Sequence, residues 1–321
     1  MSEPLLKVQD LKIYYPVKSK NRIGTSVQYA KAVDGISFEV NRGETFGIVG
    51  ESGCGKSTTG KAIVGLLKPT AGSITFDGKA VGQYPAKEMA RHIQIIFQDP
   101  YSSLDPRMTA GQCVGEPLLI HGEKNAAKRR EKALSLLKDV GLREDQMDRF
   151  PHEFSGGQRQ RIGVARAIAL HPDLVVCDEP VSALDVSIQA QILNLMQDLQ
   201  KKYQLTYIFI SHNLSVVEHL CDRIAVMYLG HIVELADKKS LFDNPVHPYT
   251  QALMASIPVP DPDVKSMQNA LTGDVPGPMN PPSGCCFHTR CPKACEKCSK
   301  ELPELREVAP GHFAACHCLD Q

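Results

Sequence analysis

Gly50-Glu51-Ser52-Gly53-Cys54-Gly55-Lys56-Ser57-Thr58 is the stretch on which the reading of this chain turns. It fits G-x-x-x-x-G-K-[ST], the pattern of a phosphate-binding loop. Glycines let the backbone turn tightly, so that successive N–H groups face an anion. Lys56 offers a point charge to the β- and γ-phosphates of a nucleotide, and Ser57 offers a hydroxyl to Mg²⁺. The flanks agree. Residues 44–49, Glu-Thr-Phe-Gly-Ile-Val, read as a buried strand running into the loop. Residues 58–67 read as the helix whose N-terminal dipole faces the phosphates.

Composition bounds the rest. The chain has 321 residues, 42% of them hydrophobic, which suits one large domain and a smaller appendage. Lysine plus arginine equals aspartate plus glutamate at 36 each, so nothing argues for a basic nucleic-acid binder. The run Lys128-Arg129-Arg130 reads as a solvated helix face. No signal-peptide pattern opens the chain and no apolar run of about 18 residues exists, so the expectation is a cytoplasmic protein that meets a membrane only through partners. Of 11 cysteines, Cys54, Cys113, Cys177 and Cys221 are scattered and seven crowd into residues 285–318. In a reducing compartment that crowding points to a metal or cluster site before it points to disulfides.

Along the chain, residues 5–15 read as an edge strand and residues 32–40 alternate like a half-buried one. Residues 73–78 and 93–98 read as further strands. Residues 103–165 are helical in character. Residues 126–140 put Ala133, Leu134, Leu136, Leu137 and Val140 on one side before Gly141, and Phe154-Ser155-Gly156-Gly157-Gln158 precedes another helix. The α/β pattern then resumes. Buried strands at 174–179 and 205–211 flank an amphipathic helix at 187–202, and two strands follow at 223–229 and 231–235. Such alternation predicts a mainly parallel sheet covered on both faces. Nine prolines between Pro245 and Pro282 exclude regular structure throughout, and residues 259–280 read as an extended connection to a cysteine-bearing module.

Two acids, Asp178 and Glu179, end a hydrophobic strand. They suit holding Mg²⁺ through water and polarising an attacking water, and they also suit an ordinary cap or turn. Ser155-Gly156-Gly157-Gln158 offers backbone donors before a helix and has no obvious partner in the chain. Taken in order, the loop at 50–58, Gln98, Ser155 to Gln158, Asp178-Glu179, Ser182-Ala-Leu-Asp185 and His212 resemble the ATP-binding subunit of an ATP-binding-cassette (ABC) transporter, over residues 5 to about 240.

The resemblance implies an ABC ATPase fold of the P-loop NTPase class. That fold has a RecA-like α/β core, an antiparallel β subdomain and a helical signature subdomain, the last at about 103–165. It implies an ATPase domain at 1–243 and an extension at 244–321. Tyr15 would stack on adenine, with Tyr14 adjoining it. Gly50, Ser52, Gly53, Cys54, Gly55, Lys56, Ser57 and Thr58 would cradle ATP, and Ser57, Gln98 and Asp178 would hold Mg²⁺. Glu179 would be the general base, His212 would contact the γ-phosphate, and Gln98 would touch Mg²⁺ or the attacking water and sense the membrane partner. Ser155, Gly156, Gly157, Gln158 and Asp185 would act on ATP held by a second cassette, head to tail. Cys54 inside the loop is either a redox brake or a tolerated residue of no special role.

Asn244-Pro-Val-His-Pro-Tyr-Thr-Gln251 and the cysteine-rich end resemble the extension of the peptide and nickel importer family, and residues 97–106 and 210–219 resemble the F-type subunit of dipeptide and oligopeptide permeases. Such importers pair this subunit with a D-type ATPase, two permease subunits and an external peptide-binding protein. This implies a peripheral place on the cytoplasmic face of a bacterial inner membrane. A nickel or glutathione importer is the alternative. The pattern Gly-Cys-x-Phe-x-x-Arg-Cys implies a [4Fe–4S] cluster on Cys285, Cys291, Cys298 and Cys316. A zinc site favoured by Cys295-Glu-Lys-Cys298, and free thiols, stay open beside it. A soluble cassette of DNA repair or translation would carry long coiled-coil insertions or two cassettes, neither of which is visible. A redox protein built on the terminal cysteines leaves the ordered ATPase set unexplained.

Overall fold

The computed structural model describes residues 3–18, 27–256 and 274–319. Its centre is an eight-stranded sheet. In chain order the strands are β1 (Leu6–Lys18), β2 (Val27–Val40), β3 (Thr45–Val49), β4 (Ala71–Phe76), β5 (Lys79–Ala80), β6 (Ile93–Ile96), β7 (Leu174–Asp178), β8 (Thr206–Ser211), β9 (Arg223–Tyr228), β10 (His231–Asp237), β11 (Arg306–Ala309) and β12 (His312–Ala314). The large sheet runs β11-β12-β10-β9-β3-β8-β7-β6, and β2-β1-β4-β5 form a separate antiparallel sheet. Strands β9, β3, β8, β7 and β6 pair in parallel, whereas β10 joins β9 antiparallel.

The unbroken apolar runs follow from burial on both faces. Successive side chains of a strand point to opposite sides. Tyr207 and Phe209 enter one core while Ile208 and Ile210 enter the other. The same split puts Val175 and Cys177 against Leu174 and Val176, and Ile224 and Val226 against Ala225 and Met227. One core lies under the antiparallel sheet, with Phe38 stacked on Phe46 at 4.9 Å. The other lies under the helices.

The helices are α1 (Lys56–Ile63), α2 (Ala86–His92), α3 (Ala110–Ile120), α4 (Ala126–Asp139), α5 (Gly156–Ile168), α6 (Val186–Tyr203), α7 (Leu214–Leu220), α8 (Lys238–Asp243), α9 (Pro248–Ala255) and α10 (Glu296–Lys300). Helices α3, α4 and α5 make the expected helical layer. Thr109 and Ser155 cap α3 and α5 with reciprocal side-chain bonds to Gln112 and Gln158. Helix α1 starts at Lys56 and ends at Ile63, shorter than the 58–67 expected, because Val64 and Gly65 close it with turn bonds to Gly60 and Ala62. Strand β6 stops at Ile96, two residues before Gln98. Among the described residues no helix is long and apolar enough to cross a membrane.

The cysteine-bearing end is less separate than the sequence suggests. Its strand β12 pairs antiparallel with β10, extending the main sheet, and Cys285, Cys286, Phe287 and Cys298 pack into the main core. Part of the expected connection at 259–280 lies outside the described residues; residues 274–280 carry no helix or strand. A buried carboxylate fixes the junction. Glu234 of β10, fully buried, accepts from the N–H groups of Val246 and His247 at 2.8 and 2.9 Å and meets Nε2 of His312 at 2.7 Å. Glu234→Ala strands those polar groups, and leaving a buried donor without its acceptor costs about 1–3 kcal/mol apiece. Denaturant unfolding should show a loss of that order, with earlier proteolytic cleavage around α9; an unchanged midpoint refutes the role.

Candidate functional site

Most of the site follows the ends of parallel strands. The register pairs Val49 with Ser211, Ile210 with Asp178, and Ile96 with Cys177, so the chain leaves β3, β8, β7 and β6 at one edge. From that edge rise the loop at 50–58, His212, Glu179 and Gln98. With Ala32 and Leu253 they line a cavity of about 640 Å³.

The loop needs its glycines. At Gly50 (φ 153°) a Cβ would lie 2.2 Å from the Met227 carbonyl oxygen, and at Gly55 (φ 105°) 2.2 Å from that of Ala32. Lys56 is buried, and its Nζ donates to the carbonyls of Gly50 (2.7 Å) and Glu51 (3.0 Å), closing the loop over its own ammonium group. The Ser57 hydroxyl donates to Asp178 Oδ1 at 2.6 Å. Burial raises the Asp178 carboxyl above its usual range, against the lowering effect of Ser57 and the neighbouring lysines. Cys54 is buried 3.8 Å from Lys56 Nζ, and burial holds it as a thiol despite that ammonium.

Glu179 is the strained member. Its φ of +48° is rare for a residue with a side chain. Its N–H donates to Ile210 (3.0 Å), and its carbonyl accepts from the N–H and hydroxyl of Ser182 (3.3 and 3.0 Å). The turn aims the carboxylate into the cavity. There Oε2 meets His212 Nδ1 at 3.0 Å and Gln98 Nε2 at 3.3 Å. The arrangement thus joins a cradle of backbone N–H groups and one ammonium, a hydroxyl–carboxylate pair of hard oxygen ligands, and a carboxylate bridged to an imidazole. Those are the parts required to bind a nucleoside triphosphate and activate a water beside it.

Tyr15, Cys54, Ser155, Gly156, Gly157, Gln158, Asp178 and Asp185 do not line this cavity, Cys54 and Asp178 being buried. Tyr15 is 39% exposed on β1, while the hydroxyl of Tyr14 bonds Asp34; this leaves Tyr15 as the ring open to a ligand. Ser155 and Gly156 lie exposed at the start of α5, and Asp185 exposed at the start of α6. Gly157 has a packing reason too, since a Cβ there would lie 2.5 Å from Ile188 Cγ2.

Sequence reasoning missed a second layer. The Tyr249 hydroxyl accepts the N–H of Glu51 at 2.9 Å, and Leu253 one turn further along α9 lines the cavity. Arg290 forks onto Glu51, Nη1 to Oε2 at 2.8 Å and Nη2 to Oε1 at 3.2 Å, with Nη1 also 3.4 Å from the Tyr228 hydroxyl. Both Tyr249 and Arg290 stand inside motifs read only for what they resemble. In the cysteine module, the thiols of Cys295, Cys298 and Cys318 lie within 4.8 Å of one another, with Cys295 and Cys298 sulfurs 3.4 Å apart. Of the four cysteines the resemblance assigns, only Cys298 belongs to this triad. Cys285 donates its N–H to the Cys298 carbonyl at 2.7 Å.

Residues 33–182 match the family description "ABC transporter", and residues 233–298 match "Oligopeptide/dipeptide transporter, C-terminal region". The chain is 51% identical to the oligopeptide transport ATP-binding protein AppF of Bacillus subtilis, over 98% of this chain and 97% of that one. It is 52% identical to a putative peptide import ATP-binding protein of Brucella ovis, over 98% and 97%. Among solved structures, cbiO1 from Clostridium perfringens, part of the transporter complex cbiONQ, superposes with a TM-score of 0.65 at 30% identity, covering 76% of this chain and 92% of that one. The dimeric post-hydrolysis cassette MJ0796 bound to ADP and Pi gives 0.63 at 28%, covering 73% and 98%. The chain belongs to the ATP-binding subunits of ABC transporters, and its fold is the ABC ATPase fold. Within that family it is the ATP-hydrolysing subunit of a peptide importer and works with membrane permease partners.

The burial of Cys54 makes a test. Cys54→Ser should retain ATPase activity to within about threefold, since only a weakly bonding thiol is replaced. Peroxide should leave wild type and variant equally active. Selective protection of the variant would restore the redox-brake reading.

Proposed function

We propose that this chain is the F-type partner in a head-to-tail cassette heterodimer whose cargo is dipeptides or oligopeptides. In that reading residues 1–243 form the cassette and 244–321 the family extension. A D-type ATPase, two permeases and an external peptide-binding protein complete the importer, with this subunit peripheral on the cytoplasmic face of the inner membrane. The observation that carries the dimer is the exposed signature. Ser155 and Gly156 lie exposed at the start of α5, Asp185 exposed at the start of α6, and Val186 beside it is 82% exposed, an apolar residue left for a partner to cover.

Within one cassette, Gly50, Ser52, Gly53, Cys54, Gly55, Lys56, Ser57 and Thr58 bind the phosphates and Tyr15 stacks on the adenine. Ser57, Gln98 and Asp178 are oxygen donors that fit Mg²⁺, which when bound neutralises charge on the β- and γ-phosphates. Glu179 takes the proton of the attacking water. His212, already on Glu179 Oε2, keeps that carboxylate aimed and contacts the γ-phosphate; Gln98 on the same oxygen relays the state of the permease. Ser155, Gly156, Gly157, Gln158 and Asp185 close on the ATP of the partner cassette. Glu179→Gln should keep ATP binding and lower turnover by at least about 100-fold, the usual scale of general-base loss. Lys56→Ala should lose binding as well. Uptake of labelled di- and oligopeptides and of nickel in cells carrying Glu179→Gln assigns the cargo: loss of nickel uptake alone moves the chain to the metal branch.

For the cysteine module we propose a [4Fe–4S] cluster on Cys285, Cys291, Cys298 and Cys316. Support comes from the backbone: Cys285 N–H donates to the Cys298 carbonyl at 2.7 Å, and Cys291 closes the turn that Cys285 opens by donating to His288, so soft thiol donors gather in one small module. The Cys295–Cys298–Cys318 triad favours zinc as the second reading. Anaerobic purification followed by iron, sulfide and zinc analysis separates them. Cluster content should vanish in Cys291→Ser and persist in Cys318→Ser; stoichiometric zinc without sulfide overturns the cluster.

A further inference from the structure

A carboxylate in a loop that must accept a triphosphate is an electrostatic liability. Glu51 sits directly after Gly50, and its backbone carbonyl takes one of the bonds from Lys56 Nζ. Its side chain is not left facing the cavity alone. Arg290, 239 residues further along, covers it with a two-pronged contact, and the Arg290 side chain is only 5% exposed. Paired charges of this geometry are directional as well as attractive. Arg290 is in turn held by the cysteine module. It lies in a chain of tight turns in which His288 N–H donates to Cys285, Arg290 N–H to Phe287 and Cys291 N–H to His288. Phe287 of that turn packs on Tyr228 and Tyr249, each with ring centroids 5.3 Å away, and Tyr249 holds the N–H of the same Glu51.

We propose that the cysteine module is a control element for ATP affinity, and that Arg290 is the positioning residue through which it acts. By neutralising Glu51 and fixing its side chain, Arg290 keeps the phosphate loop receptive to anionic phosphates. A module whose thiols are rearranged displaces the turn between Cys285 and Cys291, withdraws the guanidinium, and leaves an unpaired negative charge on the loop. The reaction itself is unaffected in kind; the change falls on binding. This goes beyond the assignment of cluster or zinc, and holds for either occupant, because it rests on the turn and not on what the sulfurs hold.

The test is equilibrium binding of Mg²⁺–ATP to the full-length chain, paired with thermal unfolding. Arg290→Ala should weaken ATP binding by about 5- to 150-fold, the range of ordinary coupling between sites. Adding Glu51→Gln to Arg290→Ala should restore affinity to within about threefold of wild type, since the uncompensated carboxylate is then gone. A merely structural role for Arg290 predicts no such rescue. In the assembled transporter the KM for ATP should rise with the binding loss while kcat falls less. Cys298→Ser, which removes a thiol common to both metal readings, should weaken ATP binding in the wild-type background and add nothing to Arg290→Ala. If Arg290→Ala fails to fold, Arg290→Lys, which keeps the charge and loses the fork, should give an intermediate loss rescued in the same way. The proposal falls if Arg290→Ala binds ATP within twofold of wild type or if Glu51→Gln gives no rescue. Unchanged affinity in Cys298→Ser removes the control role of the module. Metal analysis of the same samples reads the cofactor assignment separately.

Discussion

Parallel pairing of β3, β8, β7 and β6 is the constraint on which the site depends. Because these strands run the same way and in near-flush register, their carboxyl ends form a single edge, and each hands one functional group to it. The phosphate loop leaves β3, the histidine leaves β8, the acid pair ends β7 and the glutamine follows β6. A slip of one residue in any pair would turn that strand's side chains over and exchange the two cores. The alternation of Ile208 and Ile210 against Tyr207 and Phe209 prevents it, since both sets are fully committed to opposite cores. The placement of these groups along one edge is thus inherited from hydrophobic packing.

The edge also explains why Glu179 can hold an unfavourable backbone conformation. The residue sits where a strand must stop and turn sharply, with one backbone bond to the next strand and two to Ser182. Those three bonds over-determine the turn, which is the condition under which a positive φ persists at a residue with a side chain. Ser182 belongs to the stretch that the sequence offers only as part of an ordered motif. Its hydroxyl has a local structural duty that explains a hydroxyl at that position without reference to nucleotide.

How much of this was legible beforehand divides by range. The loop, the central strands and the amphipathic helix read at 187–202 were legible because each is a local pattern: a glycine spacing, an apolar run, a helical period; the edge position read for residues 5–15 was not, since β1 lies between β2 and β4. The join of the C-terminal end to the main sheet was not, because β12 is three residues long and pairs with a strand about 80 residues away. Short edge strands carry no periodicity. The Glu51–Arg290 and Glu234–His312 pairs were invisible for the same reason: a side-chain contact between distant segments leaves no local trace in either one. Motif resemblance singled out the stretches that contain Tyr249 and Arg290, but it supplied no physical reason for either residue.

Those two long-range pairs have different consequences. Glu234 is fully enclosed and satisfied from three sides, so it acts as a fastening whose loss would simply loosen the extension. Glu51 is about a quarter exposed and lies at the mouth of the nucleotide cavity, so its charge is felt there in proportion to how well it is covered. A pair kept only for stability would be easier to replace with apolar packing. Supplied by a module that joins the main sheet through β12, the Arg290 guanidinium ties the extension to Glu51 and so to a residue that lines the cavity.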